Sequence, residues 1–388
     1  MKLSLFSIER DKNDVVNLIK SHIKGIDTPN PTLDIIFDGI TKTVECPHMP
    51  DLNSALEWVL ETLKADATIE FDPKKICAVG HRVVHGGDFI KSEKITPEVL
   101  QAIEHLSEMA PLHNPASVDG IKAALRYFSN RIPQIAVFDT VFNNTIPQKA
   151  ALYGIPEGLA KKHHIKRYGF HGISHAYLCG IYNQQPNSGS KAITMHLGSG
   201  CSMSAIKNGI VLENSMGFTP AEGLLMSTRA GDIDAAVVEY LCLHENLTPT
   251  DVIKILNFDS GLLGISGISG NMGKVIDAFE KDPRARLAVE MFCYRVIKYI
   301  GAYIAVLEGV DALIFSAGIG ENSPLIRQKI IEGMEWFGIK LDVKANDKAK
   351  GISSGEVHKV STNESTVAVF AIGTDENILI AREVLKLL

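Results

Sequence analysis

The residues of this chain best suited to chemistry are a glycine turn and an arginine that share one stretch, residues 195–234. Gly198-Ser199-Gly200-Cys201-Ser202 lies between two apolar runs, 192–195 and 203–206, which read as the strands of a hairpin. Glycines at such a turn bring backbone N–H groups to a point with no Cβ in the way, where phosphate oxygens can sit. Thr228-Arg229-Ala230-Gly231-Asp232 follows, an arginine among small residues. Glycine turn and arginine together suit phosphoryl transfer, in which catalysis is mostly positioning and charge neutralisation. On this stretch alone, a hairpin with an ordinary surface arginine explains the residues equally.

Other candidates stand at the ends of apolar runs. Residues 80–87, GHRVVHGG, hold two histidines four apart. On a helix these would share a face and could bind zinc. Val83-Val84 and the flanking glycines argue instead for extended chain, where the two lie roughly 13 Å apart. Arg82 also occupies the place where a metalloprotease motif needs glutamate. Arg82, at a strand end beside a glycine-rich turn, is the residue of interest there; its plainer reading is a surface arginine paired with a carboxylate. The proline-bracketed loop 110–115, APLHNP, carries His113. The apolar run 134–138 delivers Asp139 at its carboxyl end, where ligands of α/β sheets bind; a turn or helix cap is the alternative. In Tyr168-Gly169-Phe170-His171-Gly172, two glycines let Phe170 and His171 approach a ligand closely.

Composition narrows the setting. The chain has 388 residues, 45% hydrophobic and 22% charged, with a net charge of −6. That length accommodates about two domains. No basic stripe marks a nucleic-acid surface. Six cysteines without a C-x-x-C pair suggest neither a zinc site nor a disulfide framework and fit a reducing compartment. The N-terminus, MKLSLFSIERDKND, does not read as a signal peptide. The longest apolar region, 299–320, is broken by Glu308 and Asp311, so it reads as a helix and a buried strand rather than a membrane span. A soluble cytoplasmic protein is the expectation.

The elements that must position these residues alternate between strand and helix, which predicts an α/β protein. Strands are predicted over 1–8, 34–40, 75–79, 134–138, 312–315 and 367–370. Helices are predicted over 53–63, from Pro97 to about Met109, and over 175–182, 234–243, 248–256 and 283–307, with a last one after 373–377. The glycine-rich segment 261–273 has neither the P-loop nor the dinucleotide spacing, and it is a candidate mobile loop. Ser316-Ala317-Gly318-Ile319-Gly320-Glu321-Asn322-Ser323-Pro324 follows a buried strand, with Ser323 as cap and Pro324 opening a helix, an arrangement that cradles nucleotides.

Taken in order, these motifs resemble the acetate kinase family, within the acetate and sugar kinase, actin and heat-shock ATPase superfamily. The matching stretches are GHRVVHGG (80–87), APLHNP (110–115), VFDT (137–140), YGFHGISH (168–175), HLGSGCS (196–202), SMGFTPAEGLLMSTRAGDID (215–234), SAGIGENS (316–323) and GTDENILIAR (373–382). The resemblance implies two ribonuclease-H-like domains, with mixed sheets flanked by helices and an interdomain cleft: 1–140 with 375–388, and a nucleotide-binding and dimerisation domain over 141–374. It implies magnesium- or manganese-assisted, reversible transfer of the ATP γ-phosphoryl group to acetate, giving acetyl phosphate and ADP, by a homodimer.

Residue by residue, Arg82 and Arg229 resemble the arginines that hold the carboxylate and the phosphoryl group. His171 resembles the histidine that stabilises the phosphoryl in flight, and His113 a supporting histidine. Asp139 matches an aspartate at the metal and acceptor site, and Glu376 the magnesium glutamate. Val84, Leu112, Phe170 and Pro220 match the acyl pocket. His196, Gly198, Ser199, Gly200 and Asn271, with Gly318, Ile319, Gly320, Glu321 and Asn322, match the nucleotide side. The chemistry agrees: two anions must meet, and fixed guanidiniums remove their repulsion. The acid is already ionised at pH 7, so Asp139 reads as an orienting or magnesium-shell group rather than a base.

Four departures from the family pattern bear on activity. Met1-Lys2 stands where the family's first strand and phosphate turn have already passed, so the chain as given reads as beginning late or as weakened. Ser199 replaces an asparagine, Asn143 a histidine, and Asn271 and Gly273 an aspartate and an arginine. The rival readings are a propionate kinase and a catalytically impaired nucleotide-binding relative. A nicotinamide dehydrogenase is disfavoured by its glycine spacing.

Overall fold

In the computed structural model the described residues are 1–388 apart from Arg10, Asp11, Asn13, Ala67, Leu112, Asn130 and Asn187. Leu112, assigned above to the acyl pocket, therefore lies outside the described residues. The chain forms two compact units, Met1–Val141 with Glu376–Leu388, and Phe142–Asp375.

The first unit carries two sheets. One is an antiparallel meander of β1 (Lys2–Glu9), β2 (Asp14–Lys24), β3 (Thr32–Phe37) and β4 (Ile40–Glu45). The predicted strand 34–40 is thus the end of β3 and the first residue of β4. Asp38 (φ +46°) and Gly39 (φ +74°) turn the chain between them, the pair of positive φ angles that a tight hairpin requires. The other sheet has the order β5 (Val79–Val83), β7 (Gln134–Phe138), β6 (Glu93–Lys94), with β5 and β7 parallel. The expected strand at 75–79 starts only at its last residue. Asp72 accepts from Lys74 N and turns Pro73–Lys75 into a single helical turn.

The helix Leu52–Ala65 is closed at its start by a reciprocal capping box between Asp51 and Ser54, worth about 1 kcal/mol. It buries Ala55, Val59 and Leu63 against Ile19, Ile23, Leu33 and Ile35 of the meander. The last helix, Glu376–Leu387, packs on β5. A Cβ at Gly80 would lie 2.7 Å from both Ile380 Cγ2 and Val384 Cγ2, so only glycine admits this helix so close. Side-chain bonds tie the same helix to the meander: Asn377 Nδ2 donates to Ser4 Oγ at 2.9 Å and Arg382 Nε to Asp14 Oδ1 at 2.9 Å.

The second unit is built on one mixed sheet of order β10 (Ile210–Asn214), β9 (Cys201–Lys207), β8 (Lys191–Leu197), β11 (Ala312–Ser316), β13 (Ala368–Ile372), β12 (Val357–Lys359). The parallel trio β8, β11 and β13 is near-continuously apolar, as a sheet covered on both faces demands. Leu178 and Tyr182 of the helix Gly172–Asn183 cluster with Ala192, Ala312, Ile314 and Ile372. The helix Pro283–Leu307 matches its predicted span. Asp282 caps it, Pro283 opens it, and Ala288, Phe292, Val296, Ile300 and Leu307 form its buried stripe. The segment 261–273 is not an open loop: Gly261–Ser266 is helical, and a further helix, Met272–Asp277, begins after Asn271.

Candidate active site

In the first unit the parallel ladder sets Arg82 opposite Val137, and β7 ends one residue before Asp139. Asp139 N donates to Val83 O at 3.0 Å, which keeps the two strand ends in step. The Arg82 guanidinium meets the Asp139 carboxylate edge-on: Nε lies 3.2 and 3.1 Å from its two oxygens and Nη2 lies 2.5 Å from Oδ2. Glu376, first residue of the last helix, brings Oε2 to 3.3 Å from Arg82 Nη1. Burial alone would lower the Arg82 guanidinium, but the two carboxylates outweigh it and hold it firmly protonated. Burial pushes the Asp139 carboxyl above its ordinary range, with Arg82 opposing and Glu376 adding to the rise. Arg82 keeps 36% of its side-chain surface exposed while Asp139 keeps 1%; the arginine is therefore fixed from behind by a buried anion and still reaches outward.

Val84, half-buried, follows directly on β5. His113 is the N-cap residue of the helix Asn114–Phe128. The loop that carries it is fastened to the turn after Arg82 by the buried Asn114, whose Oδ1 accepts from His85 N and whose Nδ2 donates to His85 O, each at 3.0 Å.

In the second unit His171 adopts φ +55° as the N-cap residue of the helix Gly172–Asn183. Its left-handed backbone is a strained conformation of the kind that clusters at functional sites. Phe170, beside it, is fully buried, and its backbone is held by Asn214. Asn143 packs next to that turn, accepting from Asn214 Nδ2 at 3.4 Å.

From the helix, His171, Ser174 and His175 project at i, i+3 and i+4, on one face. From the hairpin, alternation puts Thr194 and His196 of β8 on one side, with Ser202 of β9 directly opposite His196. The two faces meet. His171 Nδ1 lies 2.9 Å from Ser202 Oγ, and His175 bridges Ser202 Oγ and Thr194 Oγ1 at 2.7 Å each. His196 Nδ1 lies 2.8 Å from Ser174 Oγ, and its ring stacks on that of His171 at 4.2 Å.

The glycine turn sits against this group. A Cβ at Gly200 would lie 3.3 Å from His171 Nε2 and 3.6 Å from Arg229 Nη1, so two cationic or donor groups converge on one bare stretch of backbone. A Cβ at Gly198 would lie 3.5 Å from His196 Nε2. Ser199 is exposed, and its carbonyl accepts from Ser227 N at 3.0 Å, which ties the turn to the loop carrying Arg229. Arg229 Nη1 donates to Pro220 O at 3.0 Å. Burial lowers its guanidinium from the ordinary value. Beneath it Gly261, at φ +61°, leaves only 2.3 Å between a would-be Cβ and Met226 O, so the segment 261–273 begins as a packed floor under Arg229.

On the expected nucleotide side, 318–322 belong to a short helix, Ala317–Asn322, that follows β11 directly. Glu321 turns inward: Oε1 accepts from Ala317 N at 2.7 Å, Thr374 N at 3.0 Å and Ser316 Oγ at 3.1 Å. It holds Ala317 at φ +62° and acts as a clamp. The other end of this helix is held by the fully buried Arg327, whose Nη1 donates to Gly320 O at 2.7 Å and Glu321 O at 3.1 Å. Asn271 spends its side chain as an N-cap, accepting from Lys274 N at 3.2 Å.

The sequence reading assigned no role to Ser202, His175, Thr194 or Arg327. The first three were signalled by spacing, a helical i, i+3, i+4 set facing a strand set of period two. Arg327 carried no signal, because its partners are backbone carbonyls. Among the described residues no group of three or more His, Cys, Asp or Glu gathers as a metal cluster, and no helix is long and apolar enough to cross a membrane.

The sequence profile of the acetokinase family matches residues 1–382. An acetate kinase of Solibacter usitatus is 44% identical over 357 residues, covering 90% of this chain and 85% of its own length. Among solved structures, that of Porphyromonas gingivalis acetate kinase superposes with a TM-score of 0.87 at 37% identity, covering 99% of this chain and 96% of its own. That of a propionate kinase from Francisella tularensis gives 0.86 at 34% identity, covering 98% of this chain and 96% of its own.

Proposed function

The chain belongs to the acetokinase family, with the actin-like α/β fold of the acetate and propionate kinases, and we propose that it moves the terminal phosphoryl group of ATP onto acetate, giving acetyl phosphate and ADP. The observation that supports this best is the convergence of His171 Nε2 and Arg229 Nη1 on the bare Gly200 backbone. Donors fixed in advance around one point are what a phosphoryl group in flight requires, and they need no reorganisation when charge develops.

In this reading Arg82 receives the acid. Asp139 and Glu376 hold its guanidinium in place, so that it can take a carboxylate as a fixed fork. On the first unit, Val84 bounds the methyl group and His113 supports the acid. Arg229 and His171 draw charge from the phosphoryl oxygens as the bond to ADP breaks and the bond to the carboxylate oxygen forms. Acetate arrives ionised, so no residue need remove a proton. The turn 198–200, His196, Asn271 and residues 318–322 serve the nucleotide, Glu321 by shaping the helix rather than by touching ATP.

Magnesium fits the donors present: Asp139 and Glu376 are two hard carboxylates gathered at one arginine, and this ion is usually held by one or two carboxylates with phosphate and water completing its shell. When bound it would neutralise phosphate charge. The molecule works as a homodimer in the cytoplasm in this reading. Helix Ala236–Glu245 buries none of its residues and exposes Tyr240 and Leu243, and Tyr294 is likewise exposed on Pro283–Leu307; apolar exposure on this scale suits a second copy.

The test is trapping of acyl phosphate by hydroxylamine, with ATP, magnesium, and acetate, propionate or butyrate in parallel. Turnover fastest with acetate is expected. The solved propionate kinase is structurally similar, and one methylene is worth only about 1–3 kcal/mol; a preference for propionate would move the assignment to that acid. No acyl phosphate with any short acid would end it.

A further inference from the structure

Behind His171 runs a line of four hydrogen-bonding groups, Thr194–His175–Ser202–His171, that enters the core and stops. Thr194, His175 and Ser202 are all fully buried. At the closed end, among the described residues, the Thr194 hydroxyl has a single hydrogen-bond partner, His175 Nδ1 at 2.7 Å. A buried O–H that does not donate loses its bond with water and gains nothing in return. The Thr194 proton is therefore directed at His175 Nδ1, which makes that nitrogen the acceptor.

His175 is kept neutral by burial and by the neighbouring His196. A neutral imidazole has one N–H, and with Nδ1 accepting it must be on Nε2. That proton points at Ser202 Oγ, 2.7 Å away. The Ser202 hydroxyl, already accepting, has its own proton to give, and His171 Nδ1 stands 2.9 Å from it. Each donor in the line finds an acceptor in this direction only. In the reverse direction the Thr194 proton is stranded.

We propose that Thr194, His175 and Ser202 are positioning residues that fix the tautomer of His171, keeping Nδ1 as acceptor and the proton on Nε2, the nitrogen that faces Gly200 and Arg229. The ring nitrogens of a histidine are distinct, and the partner of one sets the state of the other. A threonine in the sheet core thus decides whether His171 offers a donor to the phosphoryl group. This rests on the reading of His171 as a phosphoryl-stabilising residue, but the tautomer is measurable without it.

The experiment is a side-chain 15N spectrum of the full chain labelled at histidine, at a pH where the imidazoles are neutral. The His171 signals are identified by their loss in His171→Gln. The expected spectrum has His171 Nδ1 bare and Nε2 protonated. Thr194→Val, which keeps the shape and removes the hydroxyl, should admit the other tautomer. It should also lower kcat about 10- to 100-fold, with KM for ATP and acetate held within about twofold. Thr194→Ser should restore both. A wild-type spectrum with the proton on Nδ1 overturns the proposal, and this needs no variant to fold. So does a Thr194→Val protein with unchanged tautomer and turnover. Normal turnover by His171→Gln would instead remove His171 from the reaction and leave the relay to be judged by the spectrum.

Discussion

Arg82 grips Asp139 along one edge, with Nε within 3.2 Å of both carboxylate oxygens and Nη2 on Oδ2, while Nη1 faces Glu376. A lysine cannot reproduce this fork, since its ammonium is a single point of charge. Arg82→Lys should keep the fold and the charge and lose the orientation. The expected loss in kcat/KM for acetate is about 10²–10³-fold, read by hydroxylamine trapping beside a melting curve. Wild-type turnover in a folded Arg82→Lys protein would take Arg82 out of the reaction.

Gly200→Ala tests the convergence on the glycine turn. The added methyl would stand 3.2 Å from His171 Cε1 and 3.3 Å from Nε2, tight enough to move the ring by a few tenths of an ångström. It also covers the backbone where the phosphoryl oxygens are proposed to sit. A fall in kcat of roughly tenfold or more is expected, since small misplacements in active sites are costly. The melting temperature should barely change. Equal losses of stability and activity would point to packing rather than to the site.

Two histidines, the half-buried His81 and the fully buried His175, set a pH dependence. Burial lowers His81, with Gln134 opposing, and lowers His175 well below the ordinary 6.5. Each holds a proton less readily in the folded chain than in the unfolded one, where it protonates below about pH 6.5. Their contribution is therefore complete above pH 6.5 and is lost as the pH falls from there. The slope is at most about 1.4 kcal/mol per pH unit for each. Urea unfolding at pH 7.5 and 5.5 checks the sign, and His81→Gln should flatten the dependence. Stability that rises on acidification across this range would contradict it.

Arg327 is a buried cation held by backbone and amide oxygens. It bonds Gly320 O and Glu321 O at the end of one short helix, Asn346 O at 2.8 Å and Ala349 O at 2.5 Å at the end of another, and Asn346 Oδ1 at 2.7 Å. Burial brings its guanidinium down to about 10. Arg327→Met fills the space and leaves these acceptors without donors, for a loss of at least about 3 kcal/mol. KM for ATP should rise more than KM for acetate, because the helix 317–322 loses its anchor. A variant as stable as the parent in urea would show that water satisfies these carbonyls.

Strong periodicity was legible in the sequence, and polar or exposed strands were not. The helix Pro283–Leu307 and the run leading to Asp139 were readable because caps, apolar spacing and length agreed. β2 escaped because its inward set, Val15, Asn17, Ile19, Ser21 and Ile23, mixes polar residues among apolar ones, Ser21 spending its hydroxyl on Leu3 O at 3.2 Å. β4 escaped because it exposes nearly every side chain. The segment 261–273 read as loose from its glycines, yet Gly261 is there to let backbone pass under Arg229. The residues offered for catalysis were visible as motifs. The groups that orient them, Ser202, His175 and Arg327, depend on which element faces which, and a linear pattern does not contain that.

The return of the last helix to the first unit has a consequence for biosynthesis. Residues 376–388 complete a body whose other part ends at residue 141, and the 234 residues of 142–375 are made in between. At ordinary elongation rates the ribosome needs roughly 12–47 s for that interval. Until then β5 lacks the helix that packs against Gly80, and Arg82 lacks Glu376. The second unit can fold as it emerges, while Arg82, the arginine proposed to receive the acid, gains its partner Glu376 only after that whole unit has been made.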